Sequence, residues 1–312
     1  MLRKNFSKIG VLMGGPSSEH KISLKSGRAV LKALKAKGIN AKAIIIKSAS
    51  IKENISLMKK SGIDCAFIAL HGRFGEDGGI QGVLDKLKIP YTGSGVRASR
   101  LAMDKVASRL IFRKNGLHTP KFKVIKGKAK STITLNNLAF PLVVKPALTG
   151  SSIGISIAQD QDSLKDGIKE AFKFDSRVII EEYIRGRELT VGILGKSALP
   201  IVEIVTSQGF FDFKSKYRKG FTDYIVPAKL PKGISLKVKR AALSAHQLLG
   251  CYGCSRVDII LDSCNRPYIL EINTIPGLTA TSLLPKAAKS AGIDFNNLCL
   301  KLIQLAYEKA KV

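Results

Sequence analysis

The residues best suited to chemistry lie in one stretch, Gly253 to Leu283, which reads GCSRVDIILDSCNRPYILEINTIPGLTATSL. Two apolar runs, Ser255–Leu261 and Tyr268–Asn273, flank the turn-rich break Asp262-Ser-Cys-Asn-Arg-Pro267, the pattern of a β-hairpin. Side chains alternate along a strand, so Arg256 shares a face with Asp258, and Glu271 with Asn273. Folding that is symmetric about Cys264 and Asn265 sets Asp258 opposite Glu271 and Arg256 opposite Asn273. Facing like charges destabilise a sheet, so two carboxylates beside an amide, on strands of Ile, Leu and Val, call for a counter-charge. A hard divalent cation with oxygen ligands meets that need, and Mg2+ carrying a phosphate-bearing substrate fits it best. Arg256 could instead neutralise one carboxylate by itself, leaving an ordinary hairpin with a solvated outer face.

One further segment has phosphate chemistry, and another stands out by its length. A strand over Pro141–Val144 runs into Lys145-Pro146 and then into the glycine- and serine-rich Ala147-Leu-Thr-Gly-Ser-Ser-Ile-Gly-Ile155. Small residues let backbone N–H groups approach a phosphate, and hydroxyls add donors. No Gly-Lys-Ser/Thr follows, so this is not a Walker A loop. Lys216-Tyr217 lies within Thr206–Leu230, a stretch without steady periodicity whose length suits a functional lid or a disordered loop.

The elements that must position these residues alternate. Lys8–Met13 reads as a strand ending in Gly14-Gly15-Pro-Ser-Ser-Glu19-His20, followed by a helix closed by Gly38. Strands over Ala41–Ile46 and Cys65–Leu70, a helix over Ile80–Leu87 and a short strand over Pro90–Thr92 complete an open, mainly parallel α/β sheet. Ligands bind such sheets at the carboxyl ends of their strands, where Glu19 and His71 fall, although both are also ordinary loop residues. One helix is predicted over Arg97–Lys114, carrying Met103-Asp-Lys105. Thr119–Ile125 and a basic stretch to Lys130 follow it, and Arg177–Glu182, Glu188–Leu194 and Ile201–Val205 read as strands. Ser163–Phe172, Ile234–Leu249, Leu284–Ala291 and Asp294–Ala310 read as helices.

At 312 residues with a net charge of +29 the chain is long enough for two or three domains and strongly basic. Its lysines are spread from end to end and tryptophan is absent, so the charge reads as a solvated surface that attracts anionic substrates, not a specific nucleic-acid site. No run approaches the length of a membrane-spanning helix, and Ile9–Met13 is too short for a signal-peptide core, which implies a cytoplasmic setting without membrane insertion. Five sparse cysteines suit that setting. Cys251 and Cys254 have CxxC spacing but no second pair, so two half-buried thiols are expected there.

Several long motifs resemble the D-alanine–D-alanine ligases. His71-Gly-Arg-Phe-Gly-Glu-Asp-Gly-Gly-Ile-Gln-Gly82 is similar to one signature of that family, and Gly253-Cys-Ser-Arg-Val-Asp258 with Leu270-Glu-Ile-Asn-Thr-Ile-Pro-Gly277 to another. Gly14–Glu19, Pro90–Gly95, Met103–Lys105, Lys145-Pro146, Ser215–Tyr217 and Ser282-Leu283 extend the resemblance over nearly the whole chain. It implies an α/β, three-domain ATP-grasp fold: a substrate-binding open-sheet domain over 1–98, a nucleotide-binding unit over 99–184, and a unit with the hairpin and lid over 185–312. It implies ATP-dependent joining of two D-alanine molecules through an acyl phosphate, with acceptors of the D-lactate type as the alternative.

The resemblance also assigns roles. Asp258, Glu271 and Asn273 would bind two Mg2+ ions, with Mn2+ as a substitute. Lys105 and Lys145 would hold the α- and β-phosphates under a loop containing Ser151 and Ser152, and Lys216 would reach the γ-phosphate. Glu181, Glu182 and Ile184 would border the adenine, with Glu182 standing where some members have Lys, and Glu188 would hold the ribose. Glu19 would pair with the first D-alanine's ammonium, and His71 would lie near its carboxylate. Ser151 and Tyr217 would link to Glu19 to close the lid. Arg256 and the Gly277 N–H would stabilise the tetrahedral oxyanion, and Ser282 with Leu283 would bind the second D-alanine's carboxylate. A homodimer is the assembly the family commonly forms.

Overall fold

Three β-sheets follow one another along the chain in the computed structural model, which describes residues 8–127, 135, 137–150, 153–206 and 222–311. The first joins β1 (Ile9–Gly14), β2 (Ala41–Ile46) and β3 (Cys65–Ile68) in the parallel order β2-β1-β3. β1 is buried along its whole length, as suits the central strand of a parallel sheet covered on both faces. Helices α1 (His20–Ala36) and α2 (Ile51–Ser61) make the crossovers, and α3 (Gly79–Lys86) follows β3. The strand pattern did not reveal α2, although its ends are marked: the Ser50 side chain accepts the Glu53 N–H, and Gly62 closes the helix in the left-handed conformation. The strand expected over Pro90–Thr92 reduces to one bridge between Ala66 and Tyr91.

The single helix expected over Arg97–Lys114 is two, α4 (Val96–Met103) and α5 (Lys105–Lys114). Asp104 breaks it. Its Oδ1 accepts the N–H groups of Val106 and Ala107 at 3.0 and 3.1 Å, and its Oδ2 accepts from Arg177 at 2.8 Å. A carboxylate that satisfies the free donors of a first turn starts a new helix even where the apolar stripe runs on.

The second sheet contains β4 (Phe122–Lys126), β5 (Leu142–Pro146), β6 (Ser156–Ala158) and β7 (Arg177–Glu182), antiparallel in the order β4-β7-β5-β6. Helix α6 (Gln161–Ala171), begun by a capping box between Asp160 and Ser163, buries Leu164 and Ile168 against Leu142, Val144, Val178 and Ile180. This small core is separate from the others.

The third sheet contains β8 (Gly186–Leu194), β9 (Ser197–Ala198), β10 (Val202–Thr206), β11 (Thr222–Ile225), β12 (Cys254–Asp262) and β13 (Pro267–Asn273). Its order is β11-β10-β8-β12-β13, with β9 also paired to β8. Of the stretch read as a lid or disordered loop, Thr222–Ile225 is thus an edge strand, while residues 207–221 lie outside the described residues. Helix α7 (Lys232–Leu248) covers one face, where Val238 and Ala242 meet Leu189, Val191, Val257 and Ile259. Phe112 of α5 enters the same core. Helices α8 (Leu283–Ser290) and α9 (Phe295–Lys309) share a core with the first sheet, since Leu284, Leu298, Leu302 and Ile303 cluster with Ile9, Val11, Val30 and Leu34.

Cys251 and Cys254 are buried, not half-buried, and burial pushes both thiols up to about 12, the condition of inert packing thiols. Among the described residues no helix is long and apolar enough to cross a membrane.

Candidate active site

Strand β12 lies between β8 and β13, and its inward residues Val257, Ile259 and Leu261 fix its phase. Two rows of side chains therefore cross the opposite face, Thr190–Asp258–Glu271 and Gly192–Arg256–Asn273. This is the pairing that alternation predicts. Nearer the tip the register shifts: Ile259 pairs with Ile269, leaving Leu270 as the extra residue of a β-bulge. Burial along β13 changes phase at the same point, with Pro267 and Ile269 inward before it and Ile272 inward after it.

Both carboxylates have cationic side chains beside them. Arg256 donates to Asp258 through two nitrogens, at 2.9 and 2.8 Å, and the Thr190 hydroxyl donates to the same carboxylate at 2.6 Å. Burial works against the Arg256 charge, but Asp258 outweighs it with help from Glu271 and Glu76, and the guanidinium stays charged. The counter-ion geometry for Arg256 is thus present in this structure. Glu271 Oε2 lies 3.2 Å from Lys105 Nζ, and Asn273 Oδ1 accepts the Ile275 N–H at 3.0 Å.

Helix α5 brings the phosphate-type lysines to the junction of the second and third sheets. Lys105 is buried in its first turn, with Nζ also donating to the Thr149 carbonyl at 2.9 Å. Lys145, buried on β5, lies 2.7 Å from Glu181 Oε1 on the neighbouring strand β7. Burial pushes the Lys145 ammonium down, Arg109 pushes it further, and Glu181 and Glu271 pull it back, leaving it at about 8. Burial also opposes the charge on Glu181, but Arg109 and Lys145 more than offset it and hold the carboxyl below its ordinary range.

Arg109 is the residue that sequence reasoning missed. It is 0% exposed, bonds the second oxygen of Glu181, and donates Nε and a terminal nitrogen to the Leu270 carbonyl at 3.2 and 3.0 Å. Its cue was the spacing Lys105…Arg109, which puts two cations on one helix face beside buried Phe112.

The expected adenine and ribose residues lie where β7 passes into β8. The Glu181 side chain is engaged by Lys145 and Arg109, while Glu182 accepts the Lys121 N–H at 2.9 Å. Ile184 is half-buried in the connection, and Glu188 sits on β8 opposite Ile260.

The first sheet contributes the loops after β1 and β3. Glu19 stands at the start of α1, and a side chain at Gly72 would bring its first carbon to 2.9 Å from Glu19 Oε2. The φ of Gly72 is +72°, so this close approach needs glycine on both counts. His71 is buried, with Nε2 at 3.1 Å from Ser26 Oγ and Nδ1 at 3.4 Å from Glu76. The Tyr252 N–H donates to Ser94 at 3.1 Å, docking the first unit beside β12. Past the hairpin in the chain, Ser282 precedes α8 and is bonded to the Thr279 hydroxyl at 2.8 Å. The Gly277 loop packs so closely on Ser282 that a side chain at Gly277 would stand 2.9 Å from that hydroxyl. Leu283, half-buried, begins α8. Ser151, Ser152, Lys216 and Tyr217 lie outside the described residues.

The structure thus gathers Lys105, Lys145, Glu181, Arg256, Asp258, Glu271 and Asn273 around one junction, and Glu76, 3.4 Å from His71 in the loop after β3, also acts on the Arg256 charge. The hairpin's donors are all oxygens, as a hard cation requires. Among the described residues no group of three or more His, Cys, Asp or Glu could hold a metal, so a cation would take two carboxylates, an amide and oxygens from its substrate.

The family model described as D-ala D-ala ligase C-terminus matches residues 111–304, and that described as D-ala D-ala ligase N-terminus matches 8–57 and 47–94. The D-alanine–D-alanine ligase of Pelotomaculum thermopropionicum is 46% identical, with 98% of each chain covered. That of Syntrophotalea carbinolica is 45% identical, with 95% of each covered. Among solved structures, a D-alanine–D-alanine ligase of Bacillus anthracis complexed with ATP superposes with a TM-score of 0.87 at 36% identity, covering 98% of this chain and 99% of that one.

Proposed function

The chain belongs to the D-alanine–D-alanine ligase family, and on that premise we propose that its junction joins two D-alanine molecules into D-alanyl-D-alanine for peptidoglycan, cleaving ATP to ADP and phosphate. The observation that carries this reading is the meeting of buried Lys105 and Lys145 with Glu271, which stands opposite Asp258, while Glu19 and His71 follow strands of the first sheet. That set can bind an anionic nucleotide, a cation and an amino acid at once. The chain folds as an ATP-grasp protein, with proposed units over 1–98, 99–184 and 185–312.

Phosphoryl transfer of this kind depends on positioning and charge neutralisation more than on covalent help. Lys105 and Lys145 hold the α- and β-phosphates. Glu181 keeps Lys145 in place, while the backbone from Glu181 to Ile184 borders the adenine and Glu188 the ribose. Ser151 and Ser152 close over the phosphates, and Lys216 reaches the γ-phosphate. Asp258, Glu271 and Asn273 would hold two Mg2+ ions, which when bound neutralise phosphate charge and orient the transferring group. Glu19 receives the first D-alanine's ammonium, oriented with His71 and tied to the lid through Ser151 and Tyr217. That substrate's carboxylate attacks the γ-phosphate, giving an acyl phosphate and ADP. The second D-alanine, its carboxylate at Ser282 and Leu283, attacks the acyl carbon through its amine. Arg256 and the Gly277 N–H receive the oxyanion until phosphate departs, and the surplus proton of the new amide passes to that phosphate or to solvent. Five free thiols and the ATP requirement support a cytoplasmic setting, and a homodimer is the proposed assembly.

Phosphate release from ATP with D-alanine, with L-alanine, and with D-alanine plus D-lactate tests the assignment. Release with D-alanine alone is expected; no release would overturn the reading. Ester formation favoured over dipeptide at neutral pH would move the assignment to the D-lactate type.

A pH dependence follows from Lys145. Its ammonium is the form that binds phosphate, and it gives up its proton at about 8. MgADP affinity of the free enzyme is therefore expected to fall as pH rises through that value, and Lys145→Arg, charged throughout, should remove the fall. An affinity that stays flat well above pH 8 would take Lys145 out of the phosphate site.

A further inference from the structure

Arg109 has no role in the reaction as described, yet its burial is costly. Taking a guanidinium fully out of water costs several kcal/mol, and an apolar side chain of similar volume would fill the space without that penalty. Each of its three nitrogens instead has a partner. One nitrogen meets Glu181 on β7, two meet the Leu270 carbonyl on β13, and the guanidinium carbon stands 5.6 Å from the Phe122 ring centre on β4. The fork geometry of arginine suits such a three-way contact, which a point-like ammonium cannot reproduce.

Its partners are one step from the proposed chemistry. Glu181 binds Lys145 through its other oxygen. Leu270 is the bulged residue, whose carbonyl falls out of the regular ladder, and it directly precedes Glu271. Charge adds a second effect. Lys145 and Glu181 alone would form a neutral pair; with Arg109 the cluster of two cations and one carboxylate carries a net positive charge, which suits a phosphate site.

We propose that Arg109 is a positioning residue that clamps the two halves of the nucleotide site, fixing Lys145 through Glu181 and the Glu271 strand through the Leu270 carbonyl. The inference rests on the ATP-ligase reading above. It also explains how a second sheet with a separate core keeps its phosphate lysine in register with the hairpin: α5 carries Lys105 and Arg109 between them, with Asp104 holding Arg177 at 2.8 Å at the same end.

The test is MgADP affinity by calorimetry together with the KM for D-alanine, on the full chain. Arg109→Met, which keeps the bulk and removes the charge and donors, is expected to weaken MgADP binding roughly 10- to 100-fold, the usual effect of losing an orienting partner. The KM for D-alanine should stay within about twofold because Glu19 and His71 lie on another sheet. Arg109→Lys should recover part of the loss. MgADP affinity equal to wild type in Arg109→Met, or an equal loss in MgADP affinity and D-alanine KM, would overturn the proposal. If Arg109→Met does not fold, the double variant Arg109→Met/Glu181→Gln removes both buried charges together, a change proteins commonly tolerate. Wild-type MgADP affinity in that variant would equally overturn the proposal. A wild-type protein that binds MgADP but releases no phosphate with D-alanine would instead refute the ligase assignment and leave the clamp standing.

Discussion

Replacing Glu271 by Gln is expected to cut D-alanine-dependent phosphate release about a thousandfold while the protein stays folded. The substitution keeps shape and one carbonyl oxygen but removes the charge that, with Asp258, would balance a divalent cation. The loss of about 4 kcal/mol in the transition state is the scale of metal-based charge stabilisation, and each 1.36 kcal/mol is tenfold in rate. Stability should change little. In its ion pair with Lys105 the Glu271 side chain is 29% exposed, and Lys105 keeps its bond to the Thr149 carbonyl, so losing that pair costs on the order of 1 kcal/mol. Relief of the repulsion between facing carboxylates works in the opposite direction. Turnover against Mg2+ concentration, with a thermal melt alongside, checks this. Near-normal turnover would remove Glu271 from the metal site.

Arg256→Ala separates two roles. As the oxyanion partner Arg256 is expected to contribute roughly 10²- to 10³-fold to dipeptide formation. As the counter-ion of Asp258 it also holds a carboxylate that is 14% exposed and otherwise bonded to Thr190. Removing one member of a buried pair costs about 3 to 5 kcal/mol, so the variant should melt earlier. Added Mg2+ with nucleotide should restore much of that loss, because binding to the folded state stabilises it. Dipeptide formation is expected to collapse while MgADP affinity survives. If MgADP affinity fell as far as turnover, Arg256 would belong to the nucleotide site and the oxyanion would need another partner.

Much of this arrangement was legible in the residue pattern, for identifiable reasons. The pairing of Asp258 with Glu271 follows from alternation alone, because apolar Val257, Ile259 and Ile272 leave the charged positions one way to face. Strands β2 and β7 appear with the bounds their apolar runs predict. The bulge was not legible: Leu270 is as apolar as its neighbours, so an extra residue leaves no polar mark. Asp104 interrupts a stripe that reads as continuous, and a cap inside a helical pattern looks like one more exposed polar residue. Strand β11 has four residues, none fully buried, so it shows neither a run nor an alternation. Arg109 was overlooked because a cation on a helix is ordinarily solvated; here the partners that justify its burial come from strands 72 and 161 residues further along the chain.

The bulge at Leu270 sets where this hairpin can change length. The pleat repeats every two residues, so one residue added or lost inverts every side chain beyond it. Past the bulge, a residue added or lost between Glu271 and Asn273 would turn Ile272 outward or send a site side chain toward the packed face, whereas loss of Leu270 itself would leave Pro267, Ile269 and Ile272 inward in unbroken alternation. The tip, Asp262 to Arg266, is held by its own hydrogen bonds and faces no such parity rule. In relatives of this chain, insertions and deletions should therefore collect at the tip or at the bulge and be rejected from Glu271 to Asn273. Past the bulge a codon gained or lost is a heavier lesion than most substitutions.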